Sequence, residues 1–127
     1  MTLTPTPAYI SLMRFSDWLA LDELQDLPEQ SGLFQVRLKS GLLEYPVGKS
    51  AMFYYGYAEN LKIGCQQFVD SILPKLGQNA HDLLLRTMPL EAMADRFKPL
   101  IQQFARNFGS LPKGNEIYLR ILEDLTK

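Results

Sequence analysis

The sequence has few of the side chains that bind transition metals or form covalent cross-links. Among its 127 residues there is one cysteine, Cys65, and one histidine, His81. A single cysteine excludes an internal disulfide, and these two side chains are too few for the zinc sites that cysteine and histidine usually build. A magnesium ion held by carboxylates is still compatible with this composition.

Long apolar runs and an excess of charge of one sign are also missing. No stretch approaches the roughly 20 apolar residues that span a bilayer, and the N-terminal residues lack the basic and apolar regions of a signal peptide. We therefore expect a cytoplasmic protein with no membrane partner. Basic residues number 13 against 14 acidic ones, so the composition does not indicate a strongly basic nucleic-acid-binding protein.

What is present is typical of a globular domain. Apolar residues make up 46% of the chain and charged residues 21%. The length predicts one domain over residues 1–127. Pro5 and Pro7 disfavour regular structure, so we expect residues 1–9 to form a flexible N-terminal arm.

Hydrophobic patterning predicts helices and strands in succession. Ser16 is a suitable N-cap for a first helix, which Pro28 would end. Alternation from Phe34 to Lys39 predicts a half-buried strand, and the aromatic run 51–57 predicts a second strand in a hairpin with it. The predicted elements are helices over 16–28, 60–74, 91–108 and 115–127 and strands over 34–39, 51–57 and 83–88. We therefore expect an α+β domain with a small three-stranded antiparallel or mixed sheet flanked by helices.

Two segments carry a more specific pattern. Gly32-Leu33-Phe34 opens the first predicted strand, and residues 54–61, Tyr-Tyr-Gly-Tyr-Ala-Glu-Asn-Leu, end the second strand and begin the next helix. With Glu91 after the third strand, they resemble the GIY-YIG nuclease family over residues 27–99. The resemblance implies a GIY-YIG-like core there and a C-terminal helical extension over 100–127.

The resemblance also implies a division of catalytic labour. In the family, a tyrosine of the first strand activates water, an arginine of the helix stabilises charge on the phosphate, and a glutamate holds a divalent metal. A histidine often follows the arginine by one turn. In this chain Phe34, Gly64 and Phe68 occupy the tyrosine, arginine and histidine positions, whereas Tyr54 and Glu91 are retained.

These replacements argue against hydrolysis, because phenylalanine cannot exchange a proton and one lost charge-stabilising group costs several kcal/mol. We expect a domain that has lost nuclease activity and needs no cofactor. If activity survives, Tyr54 and Glu91 are the catalytic residues, and Glu91 holds Mg²⁺ or Mn²⁺.

Other residues are candidates for contact with DNA or RNA. Tyr55 and Tyr57 could stack on bases, and residues 96–115 hold four basic residues and no acid. These basic residues are Arg96, Lys98, Arg106 and Lys113. Each feature also has an ordinary structural interpretation: strand packing for the aromatic residues, a solvated helix face for the basic ones, and a first-turn acid for Glu91.

Three hypotheses about function stay open at this point. The first is a degenerate GIY-YIG-like module that binds nucleic acid or protein. The second is a divergent DNA endonuclease that depends on a divalent metal. The third is a protein-interaction or homo-oligomer module with no role in nucleic-acid binding.

Overall fold

The computed structural model describes residues 14–125, so the predicted arm over 1–9 lies outside the described residues. Four strands form one antiparallel sheet: β1 (Leu19–Ala20), β2 (Gly32–Leu38), β5 (Met52–Ala58) and β6 (Leu83–Pro89). Their order across the sheet is β1-β6-β2-β5, and a separate ribbon pairs β3 (Leu43–Glu44) with β4 (Lys49–Ser50). The helices are α1 (Leu61–Gln67), α2 (Met93–Phe108) and α3 (Lys113–Leu125).

The fourth strand corrects the expectation of a three-stranded sheet, and it replaces the helix predicted from Ser16. No α-helix forms over residues 16–28: β1 pairs antiparallel with β6, and only a 3-10 turn over Leu24–Asp26 is helical. The Ser16 N–H donates to the Thr87 carbonyl at 2.7 Å, and the Thr87 N–H donates to Ser16 Oγ at 3.1 Å. A short isolated helix is marginal, so the free backbone groups at the edge of β6 decide the conformation.

The three central strands form as the sequence pattern predicts, in an arrangement that is antiparallel throughout. β2 lies between β5 and β6 and pairs with both. It is not half-buried, however, because Gln35 is as buried as Phe34 and Val36. Helices α1 and α3 pack on the Phe34 face, and α2 and Trp18 cover the other face.

Helix α1 begins at Asn60, whose side chain accepts a hydrogen bond from the Ile63 N–H. The position agrees with the helix predicted over residues 60–74, and asparagine is a favoured N-cap residue. A π-helical turn over Phe68–Ile72 and a 3-10 turn over Leu73–Leu76 extend the helix to Gly77, which has a left-handed φ of 75°.

Helix α2 continues through Pro99 and ends at Gly109, also left-handed. The expected boundary between residues 27–99 and 100–127 therefore falls inside a continuous helix. In the described part of the chain, no helix is long and apolar enough to cross a membrane.

Candidate functional site

A groove of about 870 Å³ lies beside β5, one of the two edge strands of the sheet. Strand β5 and Phe34 form its floor, α1 and the turn after it form one wall, α3 forms the other wall, and α2 closes one end. The lining residues are Phe34, residues 54–60, Ile63, Gly64, Gln67, Phe68, Ile72, Phe97, Ile101, Leu111, Asn115, Tyr118, Leu119 and Leu122.

Four of the positions that the family resemblance singles out, 34, 54, 64 and 68, meet in this groove, and the fifth, Glu91, does not. The rings of Phe34 and Tyr54 are stacked with centroids 6.0 Å apart, and Phe68 lies 5.5 Å from Phe34 and 4.5 Å from Tyr54. These three residues, here called the aromatic triad, come from β2, β5 and the turn after α1. The triad depends on Gly56, where a Cβ would collide with the Phe34 ring. Tertiary structure therefore brings together residues that are far apart in the chain.

Tyr54 retains a phenol in the triad, but its environment disfavours ionisation. Its side chain is 7% exposed. Burial raises the pKa of Tyr54 well above its ordinary value of 10, and the neighbouring phenols of Tyr118 and Tyr57 raise it further. The hydroxyl is therefore protonated at neutral pH, and it is poorly suited to act as a general base.

Gly64 lies where the resemblance expects an arginine, and its surroundings are crowded. A Cβ at this position would collide with the Cβ of Ala58, at the end of β5. The glycine thus allows α1 to approach the strand closely. A larger side chain would require the helix to shift.

Glu91, the candidate metal ligand, is outside the groove. It is exposed in the bend between β6 and α2, two residues before α2 begins, so it is not a first-turn acid. Within residues 14–125, no three histidine, cysteine, aspartate or glutamate side chains form a group that could hold a metal ion.

The two candidate stacking tyrosines have different environments. Tyr55 is buried against Phe104, with ring centroids 5.6 Å apart, and burial raises its pKa to about 12. Tyr57 lines the groove and is 47% exposed, although Phe97 lies 4.8 Å from its ring. Only Tyr57 presents a large accessible ring surface.

The four basic candidates are exposed but do not share one surface. Arg96 and Lys98 lie about 200° apart around α2, because each helical residue turns by about 100°. Lys113 lies at the start of α3, with its Nζ 5.8 Å from the centre of the Tyr45 ring. None of the four basic residues lines the groove.

Asn115 is a residue of the site that the sequence did not reveal. Its buried side-chain amide accepts from the Tyr55 N–H at 2.9 Å and donates to the Tyr55 carbonyl at 2.8 Å. The amide thereby substitutes for a neighbouring strand at this point of the β5 edge. An asparagine near a helix start is ordinarily a surface residue, so the sequence contains no signal for this role.

The groove contains little charge. Glu59 is the only charged residue among those lining it. Phosphate binding needs cationic or N–H donor groups. The lining of the groove therefore does not favour binding of a nucleic-acid backbone.

No model of a protein family matches the chain, and comparisons with curated proteins and with solved structures also find no significant match. The fold class is an α+β domain with an antiparallel sheet. Its candidate site is defined by the geometry of the groove.

Proposed function

We propose that this chain is a binding module on a GIY-YIG-like scaffold that does not cleave nucleic acid, and that its groove binds an apolar segment of a partner protein. The aromatic triad is the observation that carries the proposal. It forms an apolar surface from the positions at which the resemblance expects catalytic groups.

Several features of the two motif segments support the scaffold. Their strands are neighbours, with Phe34 directly opposite Gly56. A Cβ on Gly32 would lie 2.5 Å from the Met88 carbonyl oxygen, so the motif glycine lets β2 fit between its neighbours. Asn60 caps the helix that follows the second motif.

The chemistry of the same positions supports the absence of catalysis. Phe34 has no proton to transfer, Tyr54 retains its proton because it is buried, and Gly64 has no space for a cation. These three positions therefore supply no base and no cation to stabilise charge on a phosphate.

The rim of the groove supports an apolar partner. Ile63 of α1 is 52% exposed, and Leu119 and Leu122 of α3 are also exposed on the opposite wall. Exposed apolar residues clustered around a concave surface are typical of protein-binding sites.

The open edge of β5 adds a polar element to this surface. The hydrogen bonds to Asn115 show that the backbone groups of Tyr55 point away from β2. Since such groups alternate along a strand, the N–H and carbonyl of Tyr57 point the same way, toward the groove. An extended partner segment can pair with them while its side chains contact the apolar walls.

The first experiment tests chemistry and nucleic-acid binding. Purified protein is incubated with supercoiled DNA and labelled single strands in Mg²⁺ or Mn²⁺, and anisotropy of labelled DNA and RNA is measured at low salt. We expect neither cleavage nor salt-dependent binding. Cleavage that Glu91→Gln abolishes would overturn the loss of catalysis, and binding that weakens with salt would favour a nucleic-acid partner.

The second experiment tests the apolar surface with the neutral fluorescent probe N-phenyl-1-naphthylamine. We expect the protein to enhance probe fluorescence, and Leu119→Glu to weaken probe binding at least several-fold. Leu42→Glu is the matched control, because Leu42 is 61% exposed but lies outside the groove. Equal effects of the two substitutions would contradict the assignment of the groove as the binding surface.

A further inference from the structure

Two arginines come together on the sheet face opposite the aromatic triad. Gln35 lies directly opposite Arg86, and Arg37 lies two residues further along β2. Because side chains alternate across a strand, Gln35, Arg37 and Arg86 point to the same face, away from Phe34 and Val36. The Arg86 Nε donates to Gln35 Oε1 at 2.8 Å.

A single indole ring contacts both guanidinium groups. The guanidinium carbon of Arg37 lies 4.7 Å from the centre of the Trp18 ring, and that of Arg86 lies 4.4 Å from it. Phe15 packs on Arg86 as well, at 4.6 Å. Cation–π contacts of this kind attract each guanidinium group to the face of the ring.

This pair of positive charges has no anionic partner in the described structure. Neither guanidinium forms an ion pair with a carboxylate of residues 14–125, and the remaining residues, 1–13 and 126–127, contain no aspartate or glutamate. The Arg37 Nε is buried without a hydrogen-bond acceptor. Burial and the neighbouring Arg37 charge both lower the pKa of Arg86, while Tyr55 opposes the shift.

We propose that Arg37 and Arg86 form a binding site for the phosphoryl group of a small molecule. Placing two like charges in a half-buried, aromatic environment is costly unless an anion compensates them. Planar guanidinium groups match the oxygen spacing of a tetrahedral oxyanion and bind it through paired hydrogen bonds. Because both side chains remain partly accessible, an anion can reach their terminal nitrogens from solvent.

The site is independent of the groove, which lies at the edge of β5. Failure of one proposal therefore leaves the other intact. Trp18 is the single tryptophan of the chain, so its fluorescence reports directly on the two arginines.

The test is a titration with inorganic phosphate at constant ionic strength, followed by Trp18 fluorescence and by the thermal unfolding midpoint. We expect a saturable change in fluorescence and a rise in the midpoint, with sulfate acting similarly and acetate having no effect. Glycerol phosphate is a separate arm, because tighter binding than inorganic phosphate would identify a phosphate monoester as the ligand.

The variants distinguish phosphate binding at the two arginines from non-specific stabilisation of the protein by ions. Arg37→Gln should weaken phosphate binding at least tenfold, whereas Arg106→Gln removes the same charge from the exposed surface of α2 and should bind normally. Arg37→Lys retains the charge and provides a folded variant if Arg37→Gln unfolds, and we expect it to bind several-fold more weakly than the original protein. Absence of a saturable signal, or equal losses in Arg37→Lys and Arg106→Gln, would overturn the proposal.

Discussion

At the scale of single residues, the hydrogen-bond partners of a buried polar side chain determine which residue type can occupy its position. The amide of Asn115 meets both a donor and an acceptor of Tyr55, and it therefore needs its own oxygen and nitrogen in one orientation. Removing either bond would leave a buried backbone group of β5 unsatisfied, which typically costs about 1–3 kcal/mol.

Asn115→Asp tests this pairing through its pH dependence. An ionised carboxylate accepts from the Tyr55 N–H but repels the Tyr55 carbonyl, so we expect the free energy of unfolding to fall by about 1–3 kcal/mol at pH 7. A protonated carboxyl can donate to the carbonyl, which raises the pKa of the new side chain in the folded state. The stabilising contribution of this proton is then present below the unfolded pKa of about 3.9 and is lost as pH rises through the folded pKa.

Urea unfolding of Asn115→Asp and of the original protein at pH 3.5 and pH 7 measures this effect. The deficit of the variant should shrink at the lower pH. Asn115→Ala is the control, since it lacks both bonds at every pH and its deficit should stay constant. A pH-independent deficit in Asn115→Asp would argue against the proposed donor and acceptor arrangement.

At the scale of elements, close approach between α1 and β5 shapes one wall of the groove. Gly64 and Ala58 are the contacting positions, and a Cβ on the glycine would meet the alanine side chain. Glycine inside a helix costs roughly 1 kcal/mol relative to alanine. Packing against Ala58 explains the glycine, because this close contact outweighs the low helix propensity of glycine.

Gly64→Ala should therefore destabilise the protein by about 1–3 kcal/mol, although it improves helix propensity. The double variant Ala58→Gly with Gly64→Ala removes the collision, so we expect a favourable coupling of at least about 0.5 kcal/mol between the two positions. A double-mutant cycle by chemical denaturation measures it. Gln67→Ala, at another exposed position of α1, reports the effect of a change in helix propensity. Strictly additive energies at positions 58 and 64 would refute the contact.

At the scale of the whole molecule, the sheet is covered on both faces and buries several weakly acidic groups. Cys65 lies on the buried face of α1, where burial raises its pKa to about 12. Tyr54 and Tyr55 are buried on opposite faces of β5, and burial raises their pKa values as well. The folded state therefore retains protons that the unfolded chain loses at lower pH.

This difference predicts that the protein loses stability in alkaline solution. The retained protons contribute fully to the free energy of unfolding below pH 9, since the ordinary pKa values are 9.0 for Cys65 and 10.0 for the tyrosines. Above pH 9 the free energy of unfolding should fall, by about 1.4 kcal/mol per pH unit for each group between its unfolded and folded pKa.

Denaturant unfolding from pH 8 to pH 11 checks this prediction. Cys65→Ala removes one of the three groups and should reduce the slope between pH 9 and pH 10 without abolishing the decline above pH 10. A free energy of unfolding that stays constant up to pH 11 would show that these side chains ionise in the folded state as readily as in the unfolded chain.

Local patterns were sufficient for most elements. The strand at β2, the helix that starts near residue 60 and the helix that ends near residue 108 are all recognised from neighbouring residues, and each agrees with the structure. Such signals depend on interactions within one turn or one strand, so they are visible in the sequence. The family resemblance, by contrast, is what related Phe34, Tyr54 and Phe68, and these three side chains are in contact in the structure.

The sequence by itself therefore determined the α+β class, the pairing of the two central strands and the absence of ionisable side chains at positions 34, 64 and 68, because these depend on residue type and local spacing. Only the tertiary structure decided that the Ser16 segment joins the sheet, that Gln35 and Asn115 are buried, and that the two arginines meet at Trp18. Each of these results depends on groups distant in the chain, whose backbone hydrogen bonds and packing outweigh local preference.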